Sequence, residues 1–127
     1  MQLFVLLLTA LTAAAAPACT SCPHPGTFTG DVGLYTNPSP NSCAITVGAN
    51  DIVASIPASF FNPPDESPCG ELINVTLDDG KTAAAKVVNS DSTLSGDNIN
   101  LNTNGLAAIA PDSDPNHGTG AATWTFQ

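Results

Sequence analysis

Hydrophobic and polar positions along this chain fall into short alternating runs bounded by turn residues, and the signals are those of strands. Leu72 to Leu77 alternates and leads into Asp78-Asp79-Gly80-Lys81, after which Thr82 to Val88 returns. The Asp-Gly pair predicts a hairpin whose two central residues both adopt positive φ. Ile45 to Val47 and Ile52 to Ile56 are β-branched stretches separated by Gly48-Ala49-Asn50-Asp51, and they predict two further strands. Ala121 to Phe126 predicts a last strand with Trp124 and Phe126 on its inward face. Between these, Leu94 to Leu101 is polar except at Leu94, Ile99 and Leu101.

Helical signals are brief. Pro57 suits the first position of a single turn through Phe61, and Asn62 to Pro68 is a loop by composition. Asn102 is placed to cap a short helix through Leu106 and Ile109, which Pro111 stops. The whole pattern predicts a mainly β fold, a small barrel or sandwich carrying one or two short helices.

The N-terminus stands apart. Residues 1–18 hold an apolar run from Leu3 to Leu11 followed by small residues, the build of a secretory signal peptide. Ala16-Pro17-Ala18 is a small-x-small site for cleavage before Cys19. A lipoprotein signal would instead lipidate Cys19, but Ala16 stands where leucine is usual. The apolar part is too short to span a bilayer, which takes roughly 20 residues. An extracellular location follows as the expectation.

Charge narrows the partners. The 127-residue chain carries a net charge of -9, its only cations being Lys81 and Lys86. That excludes a nucleic-acid binder, which needs a basic stripe, and a protein held electrostatically on anionic lipid. Four cysteines in an oxidising compartment allow three pairings. Cys19 and Cys22 form a C-x-x-C followed at once by Pro23 and Pro25, so a local bridge in an N-terminal tail over 19–25 is favoured over redox chemistry. Cys43 with Cys69 then follows by elimination as a core-facing bridge. The tail histidine His24 reads as solvent-facing, as does His117 in its Pro/Asn/Gly loop. Asp112-Ser113-Asp114-Pro115-Asn116-His117-Gly118 imitates the start of a calcium loop, but the glycine falls late and no glutamate closes it, so no metal is expected. Asn74-Val75-Thr76 is an N-glycosylation acceptor on the predicted hairpin, near the surface.

Taken in order, several segments resemble a known family. Gly26-Thr27-Phe28-Thr29 with Asp31-Val32-Gly33-Leu34 is similar to an opening strand and D-V-G-L turn; Pro68-Cys69-Gly70 precedes the hairpin. Cys43, Ile52-Val53-Ala54 and Pro57-Ala58-Ser59-Phe60 follow the same pattern, as do Asn98-Ile99-Asn100-Leu101-Asn102 and the closing Ala121-Ala122-Thr123-Trp124-Thr125-Phe126. Together they resemble the secreted double-psi β-barrel group of rare lipoprotein A-like domains, expansins and fungal loosenin-like proteins. The resemblance implies a six-stranded double-psi β-barrel over residues 26–127 with a shallow groove for extended polysaccharide. It places the groove aspartate of expansin-like members at Asn100, and the segment Val87-Val88-Asn89-Ser90-Asp91 where the family has V-V-D-R-C.

Those substitutions set the functional expectation. Glycoside hydrolysis needs two carboxylates, and an amide at Asn100 transfers no proton near neutral pH. Asp31 and Asp97 are the groove-side acids that remain, and Asp31 also reads as an ordinary turn residue. Tyr35, in the insertion Tyr35–Ser42, is the candidate exposed platform for stacking a sugar. The expected function is therefore non-catalytic binding of cell-wall polysaccharide by a secreted monomer through Asp31, Tyr35, Asp97 and Asn100, without a cofactor. The alternative is a protein-binding module, a protease inhibitor or host-interaction protein, using the proline-rich loops Thr36–Ser42 and Asn62–Pro68.

Overall fold

The computed structural model describes residues 16–62 and 66–127. The signal peptide read at 1–18 lies outside the described residues up to residue 15, as does the middle of the Asn62–Pro68 loop. Six strands form the fold: β1 (Phe28–Leu34), β2 (Val53–Pro57), β3 (Leu72–Leu77), β4 (Thr82–Asp91), β5 (Ile99–Leu101) and β6 (Gly120–Phe126). They close into a barrel in the order β1-β5-β2-β4-β3-β6. Closure pairs every strand on both sides, which removes open sheet edges from the barrel. The pairs β1–β5 and β2–β4 are parallel, and among the described residues β3–β4 is the only pairing of consecutive strands.

Period-two patterning fills the interior. Val32, Ala54, Ile56, Ile73, Val75, Leu77, Val87, Ile99, Leu101, Trp124 and Phe126 point inward from the strands and are buried. Each fully buried aliphatic or aromatic side chain contributes about 1.5–3 kcal/mol. Phe60, on a 3-10 turn over Ala58–Phe61, and Leu106 and Ile109, on helix α1 (Thr103–Ile109), complete the core. Asn102 caps α1 as its sequence position implies: its Oδ1 accepts from Gly105 N at 3.1 Å. The same carboxamide accepts from Val53 N and donates to Asp51 O, tying the helix to the start of β2.

Several local expectations are corrected. The segment Asp31-Val32-Gly33-Leu34 is not a turn but the second half of a continuous strand, held by β5 on one side and β6 on the other. The hairpin is present, yet neither Asp79 nor Gly80 has positive φ. Instead Gly80 N donates to Leu77 O at 3.0 Å, and the glycine is needed because a Cβ there would collide with the Ile109 carbonyl at the end of α1. Lys81 N donates to that same carbonyl at 2.8 Å. Ile45–Val47 is not a strand, because every barrel position is already taken.

Both expected disulfides form, Cys19–Cys22 and Cys43–Cys69. Their placement is the reverse of the reading. Cys69 is exposed and Cys43 half-buried, so this bridge lies at the surface, whereas Cys19 and Cys22 pack against the main core. His24 is likewise not solvent-facing: its ring lies 5.0 Å from that of Phe126 and 5.5 Å from that of Phe60. The N-terminal segment thus covers one mouth of the barrel. Its few apolar groups are drawn there by the aromatic cluster of Phe28, Phe60, Trp124 and Phe126.

Candidate functional site

The outer face of four adjacent strands builds the site. Gly33 on β1 pairs with Asn100 on β5, Asn100 with Ser55 on β2, and Ser55 with Asn89 on β4. Paired residues share a face, so these four form one row across the barrel. Asn100 is on the outside because its neighbours Ile99 and Leu101 both point into the core. Its carboxamide is half-buried and lies across Gly33, where a Cβ would come within 2.7 Å of Oδ1. It makes no hydrogen bond to any described residue.

The other end of the row is closed. A bulge between Ala54 and Ser55 leaves Val88 unmatched on β4. Strict alternation after Val87 would send Asn89 into the core; the extra residue turns it outward. Asn89 Nδ2 donates to Ser55 Oγ at 2.9 Å, and its Oδ1 accepts from Ser42 N at 3.0 Å. Ser42 Oγ in turn accepts from Ser90 N at 2.7 Å. The loop after β1 therefore lies over the β4 end of the row, away from its β5–β1 end.

The acids flank the row. Asp31 is exposed on β1, and its N–H donates to Asn98 Oδ1 at 2.8 Å, which joins β1 to the start of β5. Asp97 stands in the turn just before, its carbonyl accepting from Trp124 Nε1 at 2.9 Å. Neither carboxylate is hydrogen-bonded to a described residue. Asp91, opposite Pro57 at the end of β4, is occupied by Thr93 N and Oγ1. Asp31, Asp97 and Asn100 are thus brought to one region.

Tyr35 is not among them and is not an exposed platform. It is 6% exposed and packs with Val53 and Val88 under Ile45 and Val47, a small second core outside the barrel. Burial, with the Asp91 carboxylate second, pushes its phenol above the usual value. Sequence reasoning marked Asn89 only as a departure from the family pattern and passed over Ser42 and Ser55. The bulge that aligns them has no local signature.

Elsewhere, Asp112, Asp114 and His117 come together as an exposed cluster, with His117 Nδ1 2.6 Å from Asp112 Oδ2. The Asp112 carboxylate holds the imidazole pKa above its usual value; the backbone N–H of Asp114, and then His117, hold that of Asp112 below it. Asn74 lies half-buried on β3 and accepts from Gln127 Nε2 at 2.9 Å.

No family model and no curated protein sequence matches the chain. Among solved structures it is similar to the Streptomyces papain inhibitor, with TM-score 0.67 and 23% identity over 83% of this chain and 97% of the inhibitor. It is also similar to the apo expansin of Clavibacter michiganensis, with TM-score 0.65 and 18% identity over 80% of this chain and 50% of the expansin. An aspartate-to-asparagine variant of that expansin, in complex with cellohexaose, gives the same values. This chain thus spans half the length of the expansin. The likeness shows the fold: a double-psi β-barrel.

Proposed function

We propose that this is a secreted, non-catalytic binding protein whose groove takes an extended polysaccharide chain. The observation that carries the reading is Asn100: a half-buried carboxamide at the β5–β1 end of an uncharged polar row, with both its donor and its acceptor unused by the described residues. Carboxamides and hydroxyls match sugar hydroxyls, which both donate and accept. Asp31 and Asp97 at the rim supply further acceptors. Catalysis is not part of the reading, because the row holds amides, at Asn100 and Asn89, where hydrolysis needs a carboxylic acid. The cellohexaose complex of the similar barrel supports the ligand class. Two disulfides fit an extracellular location. The test is retention on insoluble cellulose, chitin and xylan. Parent protein should be retained and Asn100→Ala released; absence of retention on all three overturns the reading, and release of soluble fragments overturns its non-catalytic part.

A second reading, a protein partner such as a secreted protease, is favoured by one observation. Among the described residues no aromatic ring is exposed for stacking on a sugar: Tyr35, Phe60, Trp124 and Phe126 are buried, and Phe28 and Phe61 are half-buried against the core. The papain inhibitor, covered over nearly its whole length, supports this class. Inhibition of papain by the purified protein, measured with a small fluorogenic substrate, separates it from the first.

A further inference from the structure

Asn74-Val75-Thr76 is the one Asn-x-Ser/Thr acceptor in the sequence, since Asn37-Pro38-Ser39 is blocked by its proline. The fold places it on β3, where Ile73 and Val75 point into the core and Asn74 therefore points out. Its Oδ1 accepts from Gln127 Nε2 at 2.9 Å, while its Nδ2 makes no hydrogen bond to any described residue. Across the sheet it stands between Ala84 of β4 and Thr125 of β6. Ala84 is exposed and ends at a methyl group, so it raises no wall beside the carboxamide. Leu72, two residues earlier on the same face, is 41% exposed, one of two large apolar side chains left uncovered among the described residues. The closed strand order puts β3 three places from β5 in either direction round the barrel. Asn74 and Asn100, both pointing outward, are therefore on opposite sides of the molecule.

We propose that Asn74 carries an N-linked glycan that lies over Leu72 on the β4–β3–β6 face and leaves the Asn100 row free. The donor is an oligosaccharide linked to a polyprenyl diphosphate. Asn74 Nδ2 attacks the anomeric carbon of its first sugar. The bond from that carbon to the diphosphate oxygen breaks, its electron pair leaving with the diphosphate, and Nδ2 gives up one proton to solvent as the C–N bond forms. One N–H and the Oδ1 remain, so the hydrogen bond from Gln127 is kept. Transfer precedes closure of the barrel: β3 is paired on both edges, and the buried Thr76 has its Oγ1 2.7 Å from Thr82 Oγ1. Once the barrel has closed, the sugar projects from the outer face. Leu72, about 6.7 Å away along the strand, lies within reach of its apolar ring face. The proposal uses the secretory route expected from residues 1–18 and does not depend on what the groove binds.

The experiment expresses the full 127-residue chain in a yeast that glycosylates its secreted proteins. The chain recovered from the medium should show a mass excess over the bare polypeptide that peptide-N-glycosidase removes. Removal in ¹⁸O-water should turn the carboxamide at position 74 into a carboxylate carrying one ¹⁸O, read by peptide mapping. Asn74→Gln should lose the whole glycosidase-sensitive excess; if that variant is not secreted, the ¹⁸O label in the parent still decides. NMR amide shifts compared before and after removal should change at Leu72, Asn74 and their partners on β4 and β6, and stay fixed at Asn100 and Ser55. A chain without the excess, in the medium or held in the cell, overturns the modification. So does an excess that the glycosidase leaves in place, which marks O-linked sugar only. Shifts at Asn100 or Ser55 overturn the placement on the far face.

Discussion

The indole Nε1 of Trp124, at the centre of the barrel core, donates to the carbonyl of Asp97, 2.9 Å away in the turn that enters β5. This single bond ties the interior to the segment that carries Asp97, Asn98 and Asn100. Replacing Trp124 by Phe keeps an aromatic ring in the cluster but leaves the Asp97 carbonyl short of a partner. A loss of about 1–3 kcal/mol is expected in urea unfolding, together with faster amide exchange across 95–100. Unchanged exchange there would mean that the turn is held by other contacts.

The two disulfides differ in what they constrain. Cys43–Cys69 closes a separation of 26 residues and Cys19–Cys22 one of 3. In the chain-entropy account the longer loop contributes about 3–4 kcal/mol and the shorter about 2. The double variant Cys43→Ser/Cys69→Ser should therefore melt lower than Cys19→Ser/Cys22→Ser. It should also free the Thr36–Val47 loop, because Cys43 and Gly70 donate to the neighbouring carbonyls of Val88 and Val87. Equal melting temperatures would count against this.

His117 should titrate above its ordinary value of 6.5, because Asp112 lies against its ring. A raised histidine pKa contributes stability that is complete below the unfolded value and is lost as pH rises through the folded one. A lowered Asp112 pKa contributes stability above its ordinary value of 3.8 and loses it as pH falls through the folded one. The pair therefore acts between those limits, and its exposure makes the contribution small. NMR titration of the His117 ring should show the raised midpoint, and Asp112→Asn should bring it down.

Charge should select among polymers. With Asp31 and Asp97 at the rim and a net charge of -9, the groove should hold neutral glucan or chitin and reject polygalacturonate at low salt. Raising the salt to about 0.5 M shortens the screening length well below 10 Å and should narrow that difference. Asn100→Asp adds one more negative charge and should widen it without creating hydrolysis. Reducing sugar released by Asn100→Asp would show that the remaining acids suffice for chemistry.

The elements legible in the sequence are those whose signals are local. The alternation of Leu72–Leu77 and Ala121–Phe126 marks β3 and β6 because a strand buried on one side must alternate. Asn102 marks the start of α1 because its side chain satisfies an N–H only three residues away. Ile45–Val47 misleads for the complementary reason: its β-branched residues fit a half-buried extended segment, but pairing depends on whether the closed barrel has a place for it. Tyr35 misleads likewise. An aromatic beside a polar loop reads as exposed until Val53 and Val88, far away in the chain, prove to lie beneath it.

From its residues alone this chain is bound to be β-rich and acidic, with cysteines placed for disulfides, since propensity, charge and residue chemistry need no partner to be expressed; Asn100 is singled out only by the resemblance to the expansin-like barrels. The tertiary structure alone decides that a bulge at Val88 turns Asn89 outward beside Ser55, and that the N-terminal clasp closes a barrel mouth. Each of these depends on registers and burials between segments distant in sequence, and such contacts exist only once the barrel has closed.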